Sequence, residues 1–284
     1  MSAAETTQIE YVLKITDGPS TESGIETHVL QFDIVEGISE LFQIELLIAY
    51  ADVELDLRGL MGKEALLTLV HDEGDRHFHG IVAEAQELEE TANFTRYKLQ
   101  IVPRLWLLKH QHESRIFQEK TTPEILAEVF EAVGITGDAL DDRTNTDFEA
   151  RNYCVQYRES SLNFARRLME EDGICFWFEH SDDSHTLVIA DDNADFVSVG
   201  SPADIPFEPP GSGTVGEQHV WRFRSQEQVR PGKATLIDYS FKQPTQDMEA
   251  AHEGDLDTDL EIYDLPGGYV APRLGTQLAH VRHA

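Results

Sequence analysis

A mainly β protein with an α+β insertion is the fold the sequence predicts, and three observations predict it. Between Tyr11 and Trp106 apolar residues recur mostly at every second position, the period of a pleated strand with one face buried. From Thr122 to Gly173 that period gives way to two stretches of helical spacing. Beyond Gly216 strand-like runs return.

The first series starts with Tyr11, Leu13 and Ile15. It continues through Val29 to Val35, then Phe42, Ile44, Leu46 and Ile48, then Ala65, Leu67 and Leu69, then Phe78 to Val82, and finally Tyr97, Leu99 and Ile101. Turn-forming stretches separate the runs: Asp17-Gly18-Pro19-Ser20, Glu36-Gly37, Asp72-Glu73-Gly74-Asp75, and Glu89 to Asn93. Leu55 to Gly62 reads as a short helical turn or loop. Short strands at this regular spacing fit an antiparallel barrel or a sandwich. Pro103 cannot donate to a sheet ladder, and Leu105 to Leu108 form an apolar anchor behind it, so the first domain is expected to close near residue 110.

In the middle portion, 111–215, Thr122-Pro123-Glu124 supplies a capping hydroxyl, a proline and an acid at a helix start. Ile125, Leu126, Val129, Phe130 and Val133 then share one face, and Gly134 can end the helix. A second helix is expected from Ser160 or Ser161 to Gly173. Ile174 to Phe178 and Thr186 to Ala190 read as two strands joined by a polar turn, Glu179 to His185. A loop rich in Asp, Pro and Gly, Asp191 to Gly216, leads to the third portion, 216–284, with strands expected at Gln218 to Ser225 and Ala234 to Phe241.

Charge restricts the partners. The 284 residues hold 53 acids against 22 bases, a formal charge of −31, so a phosphate backbone would be repelled and nucleic acid is disfavoured. Apolar residues make up 40% of the chain, enough for packed cores. No apolar run approaches the roughly 20 residues that span a bilayer. Met1 to Glu10 also lacks the basic and apolar regions of a secretory leader, so a start in the cytosol without a cleaved signal is expected. Cys154 and Cys175 lie in apolar segments without CxxC spacing and read as buried reduced thiols.

Chemical motifs are weak throughout. Gly211-Ser212-Gly213-Thr214-Val215-Gly216 fits GxGxxG but follows Pro209-Pro210 with no strand before it or helix after, and reads as a linker. His77 and His79 would share a strand face, with His71, His110 and His112 as further candidate zinc ligands. His112-Glu113 nevertheless lacks the second histidine of HExxH, and the pair fits an ordinary exposed strand face; His280 and His283 at the chain end say less. Asp255, Asp257, Asp259 and Glu261 alternate like a calcium loop, but Leu260 occupies the glycine position and Pro266 that of the bidentate Glu. With no GxSxG elbow and no nucleophile setting at either cysteine, no catalytic, cofactor or metal residue is assigned.

Three segments carry a family resemblance: Tyr97 to Gln118 (YKLQIVPRLWLLKHQHESRIFQ), Arg151 to His180 (RNYCVQYRESSLNFARRLMEEDGICFWFEH) and Tyr263 to Tyr269 (YDLPGGY). Phe78-His79-Gly80 and the helix entry from Phe117-Gln118 to Leu126 follow in the same order. Essentially from Ile9 onward the chain resembles the amino-terminal half of VgrG, the valine-glycine repeat spike family of type VI secretion systems. The resemblance implies the tail-hub fold of contractile phages: two tandem barrels with an α+β portion between them, assembled as a homotrimer whose six barrels form a pseudo-sixfold ring. It implies a structural, non-enzymatic role, adapting the hexameric haemolysin-coregulated tube protein to a needle that is expelled on sheath contraction. Baseplate components, and effector or spike-tip proteins bound through a further carboxyl-terminal part, are the other implied partners.

Family members continue beyond the position of Ala284 through the last strands of the second barrel, an oligonucleotide-binding-type barrel and a β-helical spike, so the second barrel is expected to be incomplete. Three chains at −31 each carry −93, a repulsion that opposes close assembly at low salt. The hub of a phage tail, tailocin or extracellular injection device shares the same expected fold. A metal-dependent hydrolytic effector is the remote alternative, which zinc at His77 and His79 would revive.

Overall fold

In the computed structural model, residues 10–22, 27–51, 55–70, 74–90, 93–196, 205–209 and 219–283 are described. The chain divides into two compact units, Met1–Arg167 with Ile174–Val197, and Leu168–Gly173 with Ser198–Ala284.

The first unit opens with six strands: β1 (Glu10–Ile15), β2 (Thr27–Val35), β3 (Gln43–Ala51), β4 (Glu64–Val70), β5 (Arg76–Glu90) and β6 (Phe94–Val102). They pair antiparallel in the order β1-β4-β5-β6-β3-β2 and curl into a near-closed barrel, resolving the barrel-or-sandwich choice. The two-residue period explains the interior: Leu13, Ile44, Leu46, Ile48, Leu67, Tyr97, Leu99 and Ile101 point inward and are essentially solvent-free. The turn helix α1 (Leu57–Leu60) plugs this core with Leu60, and Asp56 caps it by accepting the Gly59 N–H. β5 runs on to Glu90, so the expected turn at Glu89 is shorter than its composition suggested.

Behind Pro103 the apolar anchor winds into a 3-10 helix, Arg104–His110. Helix α2 (Thr122–Glu131) packs by the expected stripe, with Ile125, Leu126, Val129 and Phe130 fully buried. Its cap corrects the sequence reading by one residue. Thr121, not Thr122, accepts the Glu124 N–H, while the Glu124 carboxylate accepts the Thr121 N–H at 2.8 Å. The reciprocal box places Pro123 inside the first turn. Helix α3 (Ser161–Asp172) starts where expected, with the Ser160 hydroxyl accepting the Asn163 N–H.

The sequence does not announce the three strands that follow β6. β7 (His112–Phe117) pairs antiparallel with β9 (Cys154–Ser160), and its Phe117 ring stacks on Phe164 of α3 at 5.6 Å. β10 (Cys175–His180) and β11 (His185–Ala190) form the expected hairpin, with β8 (Leu140–Asp142) parallel to β11. The strands extend through His180 and His185, which pair directly, so the turn is only 181–184.

In the second unit, β12 (Lys233–Ile237) lies between antiparallel β13 (Glu249–Glu253) and parallel β14 (Glu261–Asp264). Helix α4 (Pro272–His283) covers this sheet, burying Ala279 against a core of Leu236, Met248, Ala250 and Tyr269. Tyr269 lies against Gly275, where a Cβ would stand 2.5 Å from the ring. The strand expected at Gln218 to Ser225 is corrected. Gln218 lies outside the described residues, and among the described residues 219–225 hold a single bridge, Phe207 with Val220. The run expected from Ala234 to Phe241 stops at Ile237, and Phe241 is exposed.

Candidate functional site

The residues weighed as metal ligands scatter. The His77 Nδ1 is engaged by the Thr68 hydroxyl at 3.1 Å, His110 meets Trp106 edge to face at 4.5 Å, and His112 pairs with Ser160 across β7 and β9. His71 and the GxGxxG segment lie outside the described residues. Glu261 turns away from the neighbouring acids to accept the Thr235 hydroxyl and pair with Lys233 at 2.9 Å. His252, His280 and His283 meet at the α4–β13 contact, with His280 Nδ1 and His252 Nε2 3.3 Å apart. Among the described residues, no group of three or more His, Cys, Asp or Glu side chains is arranged to hold a metal ion.

What the fold does bring together is a row of three other histidine contacts. His79 sits on β5 facing away from the barrel interior, and the β10–β11 hairpin lies over it, placing His180 and His185 alongside. Two backbone donors fix the tautomers. The Arg104 N–H donates to His185 Nε2 at 3.1 Å, so the neutral His185 ring carries its proton on Nδ1 and donates to His79 Nδ1 at 2.9 Å. The His79 N–H donates to His180 Nδ1 at 3.0 Å, leaving His180 Nε2 to donate to the Glu36 carboxylate at 3.2 Å. Each ring therefore accepts one bond that only its unprotonated nitrogen can accept.

The surroundings favour the neutral state of His185 and His79. Burial, followed by the charges of His79, His180 and Arg104, pushes the His185 pKa down to about 3, and burial lowers that of His79. Hydrogen bonding to His180 holds the Glu36 carboxyl below its ordinary value. Phe42 supports the row from the barrel, its ring 5.1 Å from Phe178 and 4.8 Å from His180. Gly80 makes that approach possible, since a Cβ there would stand 2.7 Å from the Val102 carbonyl and 3.1 Å from Phe42. The sequence flags Phe78-His79-Gly80 as a segment, but the ring partners of His79 lie a hundred residues on, and the only sequence signal for them is a histidine at each end of the turn 181–184.

Catalytic features are weak here as well. The Cys175 thiol donates to the Ala190 carbonyl at 3.3 Å, and burial raises its pKa, the reverse of an activated nucleophile. Cys154 is buried and Cys175 half-buried, both unbridged. An open cleft of about 570 Å³ borders the histidine row, lined by Glu36, Ile38, Arg76, Trp177 and Phe196 among others, with Trp177 and Phe196 in contact at 5.0 Å. Apolar surface is also presented outward. Ile116, Tyr153, Val155 and Tyr157 line the open face of the β7–β9 ribbon, and Phe223 and Phe241 of the second unit are about four-fifths exposed. Such patches are of the kind that macromolecular contacts cover.

The family model described as phage tail baseplate hub (GPD) matches residues 35–284. The chain is 35% identical over 268 residues to the type VI secretion system spike protein VgrG1b of Pseudomonas aeruginosa, covering 92% of this chain and 36% of that protein. It is 30% identical over 246 residues to the actin cross-linking toxin VgrG1 of Vibrio cholerae, covering 85% of this chain and 22% of the relative. Among solved structures, the E. coli c3393 protein, described as a type VI secretion component with structural similarity to T4 tail proteins gp27 and gp5, superposes with a TM-score of 0.59. That match has 20% identity and covers 81% of this chain and 56% of the other. The chain thus spans about a third of the length of the spike protein it matches.

Proposed function

We propose, from the premise that the chain belongs to the phage tail baseplate hub family, that it is the hub portion of a type VI secretion spike and works as a structural adaptor. The single observation that carries this reading is the 35% identity to a spike protein sustained over 92% of the chain, barrel and α+β portion alike. Symmetry supplies the physics. A hexameric tube offers six equivalent sites, and three chains can meet six sites only if each presents two similar barrels. In this reading 1–110 is the first barrel, 111–215 the α+β portion with its linker, and 216–284 the start of the second barrel. The ring seats on the haemolysin-coregulated tube protein on one side and leads into the needle on the other; it leaves the cell when the sheath contracts.

No catalytic step is assigned to the chain. The toxin relative is aligned over 22% of its length, so the activity in its name belongs to a protein mostly outside this alignment. The test is solution mass by light scattering across a salt series, with and without a hexameric tube protein. A trimer that forms as salt rises and binds the tube supports the adaptor; a monomer at every salt concentration that ignores the tube overturns it.

A further inference from the structure

We propose that the His79–His185–His180 row is an acid-released latch that fastens the β10–β11 hairpin to the barrel while the rings are neutral and frees it when they take up protons. This does not rest on the hub reading, because every contact in it lies within one chain and within the first unit.

The geometry makes the latch one-sided. A second proton on His185 would fall on Nε2, the atom that accepts the Arg104 N–H at 3.1 Å. One on His79 would fall on Nδ1, setting two N–H groups against each other across 2.9 Å. One on His180 would fall on the Nδ1 that accepts the His79 N–H at 3.0 Å. Protonating any ring thus removes an acceptor and strands a donor in a half-buried site. The hairpin has other holds on the barrel, notably the Ser39 N–H donating to the Phe176 carbonyl at 2.7 Å and the Phe42–Phe178 contact. The Ser39–Phe176 bond lies towards the base of the hairpin, and the Phe42 contact does not involve the ring nitrogens that titrate. The latch therefore governs the tip, around 178–187.

The charged groups facing the row modulate the release without reversing it. Glu64 of β4 and Asp183 of the hairpin turn favour charge on His79, while Arg104 and the neighbouring imidazoles disfavour it. Arg104, His79 and His180 all disfavour charge on His185. At the other end Glu36 pairs with Arg76 at 3.3 Å and accepts from His180 Nε2 at 3.2 Å, while the His79 N–H needs His180 Nδ1 as its acceptor. Both ends of the row reach open clefts, through His180 on one side and through His79, Glu64 and Asp183 on the other, so protons have a path in.

The released hairpin takes up protons that the latched one excludes. Below a pH of about 6.5, each ring that binds a proton only on release shifts the latched-to-released ratio by about tenfold per pH unit. His185 alone supplies that much, and the lowered pKa of His79 adds to the shift in the same direction.

Hydrogen–deuterium exchange of the intact chain tests this at pH 7.5 and 5.5, corrected for the intrinsic pH dependence of exchange, with β3 and β6 as internal references. The expected result is a loss of protection of at least about tenfold at 178–187 relative to β3 and β6 at the lower pH. His79→Asn keeps an acceptor near the Nδ1 position and cannot titrate. It is expected to hold the hairpin at pH 7.5 and to give a smaller pH effect than the unaltered chain, with the part due to His185 retained. Nitrogen chemical shifts of the three rings at pH 7.5 should show the proton on Nδ1 of His185 and on Nε2 of His79 and His180. Protection at 178–187 that tracks β3 and β6 at both pH values overturns the latch, as does a His79→Asn pH response equal to that of the unaltered chain, or any other tautomer set. Since none of these readouts depends on oligomeric state, the latch and the adaptor can fail separately.

Discussion

Gly80 shows how one residue sets a whole junction. A methyl group there would meet Ile101 Cγ2 and the Val102 carbonyl, both at 2.7 Å, and one of the two is backbone in a paired strand. Gly80→Ala is expected to destabilise the first unit by about 1–3 kcal/mol, the usual range for overpacking, seen as a lower urea midpoint. His185 gives a second expectation with a defined sign. Its folded pKa, about 3, lies below its ordinary value, so the unfolded chain binds the proton first. The stability it contributes is complete above about pH 6.5 and declines by about 1.4 kcal/mol per unit as pH falls towards 3. Between pH 7.5 and 5.5 the unfolding free energy should therefore drop by about 1.4 kcal/mol from this ring alone. His185→Gln, which keeps an acceptor near Nε2 and does not titrate, should flatten that part of the slope. An unfolding free energy that rises on acidification would contradict the neutral assignment. None of this chemistry is visible in sequence, because His79 and His185 are linked only through folding; local composition displays a strand histidine and a turn histidine with nothing to connect them.

At the scale of elements, legibility followed from whether the stabilising partner was local. α2 was readable because its stripe, proline and acid all lie within a dozen residues, and the one-residue error in its cap came from reading Thr122 without pairing Glu124 to Thr121. Thr121→Ala should lower stability by about 1 kcal/mol, within the 0.5–2 range of lost caps, measured by urea denaturation; Thr122→Ala should not remove the box. β7 to β9, β13 and β14 are harder, since ribbons and small sheets are specified by distant partners, whereas β12 falls within the expected run from Ala234. His112 to Phe117 alternates too weakly to announce a strand until β9 lies beside it. In the second unit the organising residue is Tyr269, which in the sequence stands out only as the end of the segment Tyr263 to Tyr269. Its hydroxyl lies between the carbonyls of Leu236, at 3.0 Å, and Met248, and its ring packs on Gly275 of α4. Tyr269→Phe removes this hydroxyl donor, while the Met248 carbonyl keeps the Asp238 N–H at 3.3 Å, and is expected to cost about 1 kcal/mol, the worth of an ordinary hydrogen bond. Hydrogen exchange should show the loss at β12 and β13 while β3 to β6 keep their protection, because the residue belongs to the second unit. Uniform loss across both units would mean that they unfold as one.

For the whole molecule, the decisive quantity is the excess of 53 acids over 22 bases. Local pairing offsets only part of it. Lys63–Asp17, Lys98–Glu45 and Arg96–Glu89 are solvent-exposed pairs, and exposed pairs contribute roughly 0–1 kcal/mol each. Salt weakens such pairs and also screens the net repulsion, so the two effects oppose each other and the sign of the salt response reports which is larger. A chain carrying −31 has many more like-charged neighbours than paired ones, and at 0.1 M ionic strength the screening length of about 10 Å still lets adjacent strands repel. Raising sodium chloride from 0.05 to 1 M, which shortens that length to about 3 Å, should therefore raise the urea midpoint of the chain itself. Potassium chloride should do the same to a similar extent, because screening depends on ionic strength and not on a bound cation. Dilution at each salt concentration separates this intramolecular gain from assembly: the gain persists at low protein concentration, whereas a contribution from trimer formation grows with it. A midpoint that falls with salt would mean that the ion pairs outweigh the net charge, and the case for charge-controlled ring assembly would fall with it.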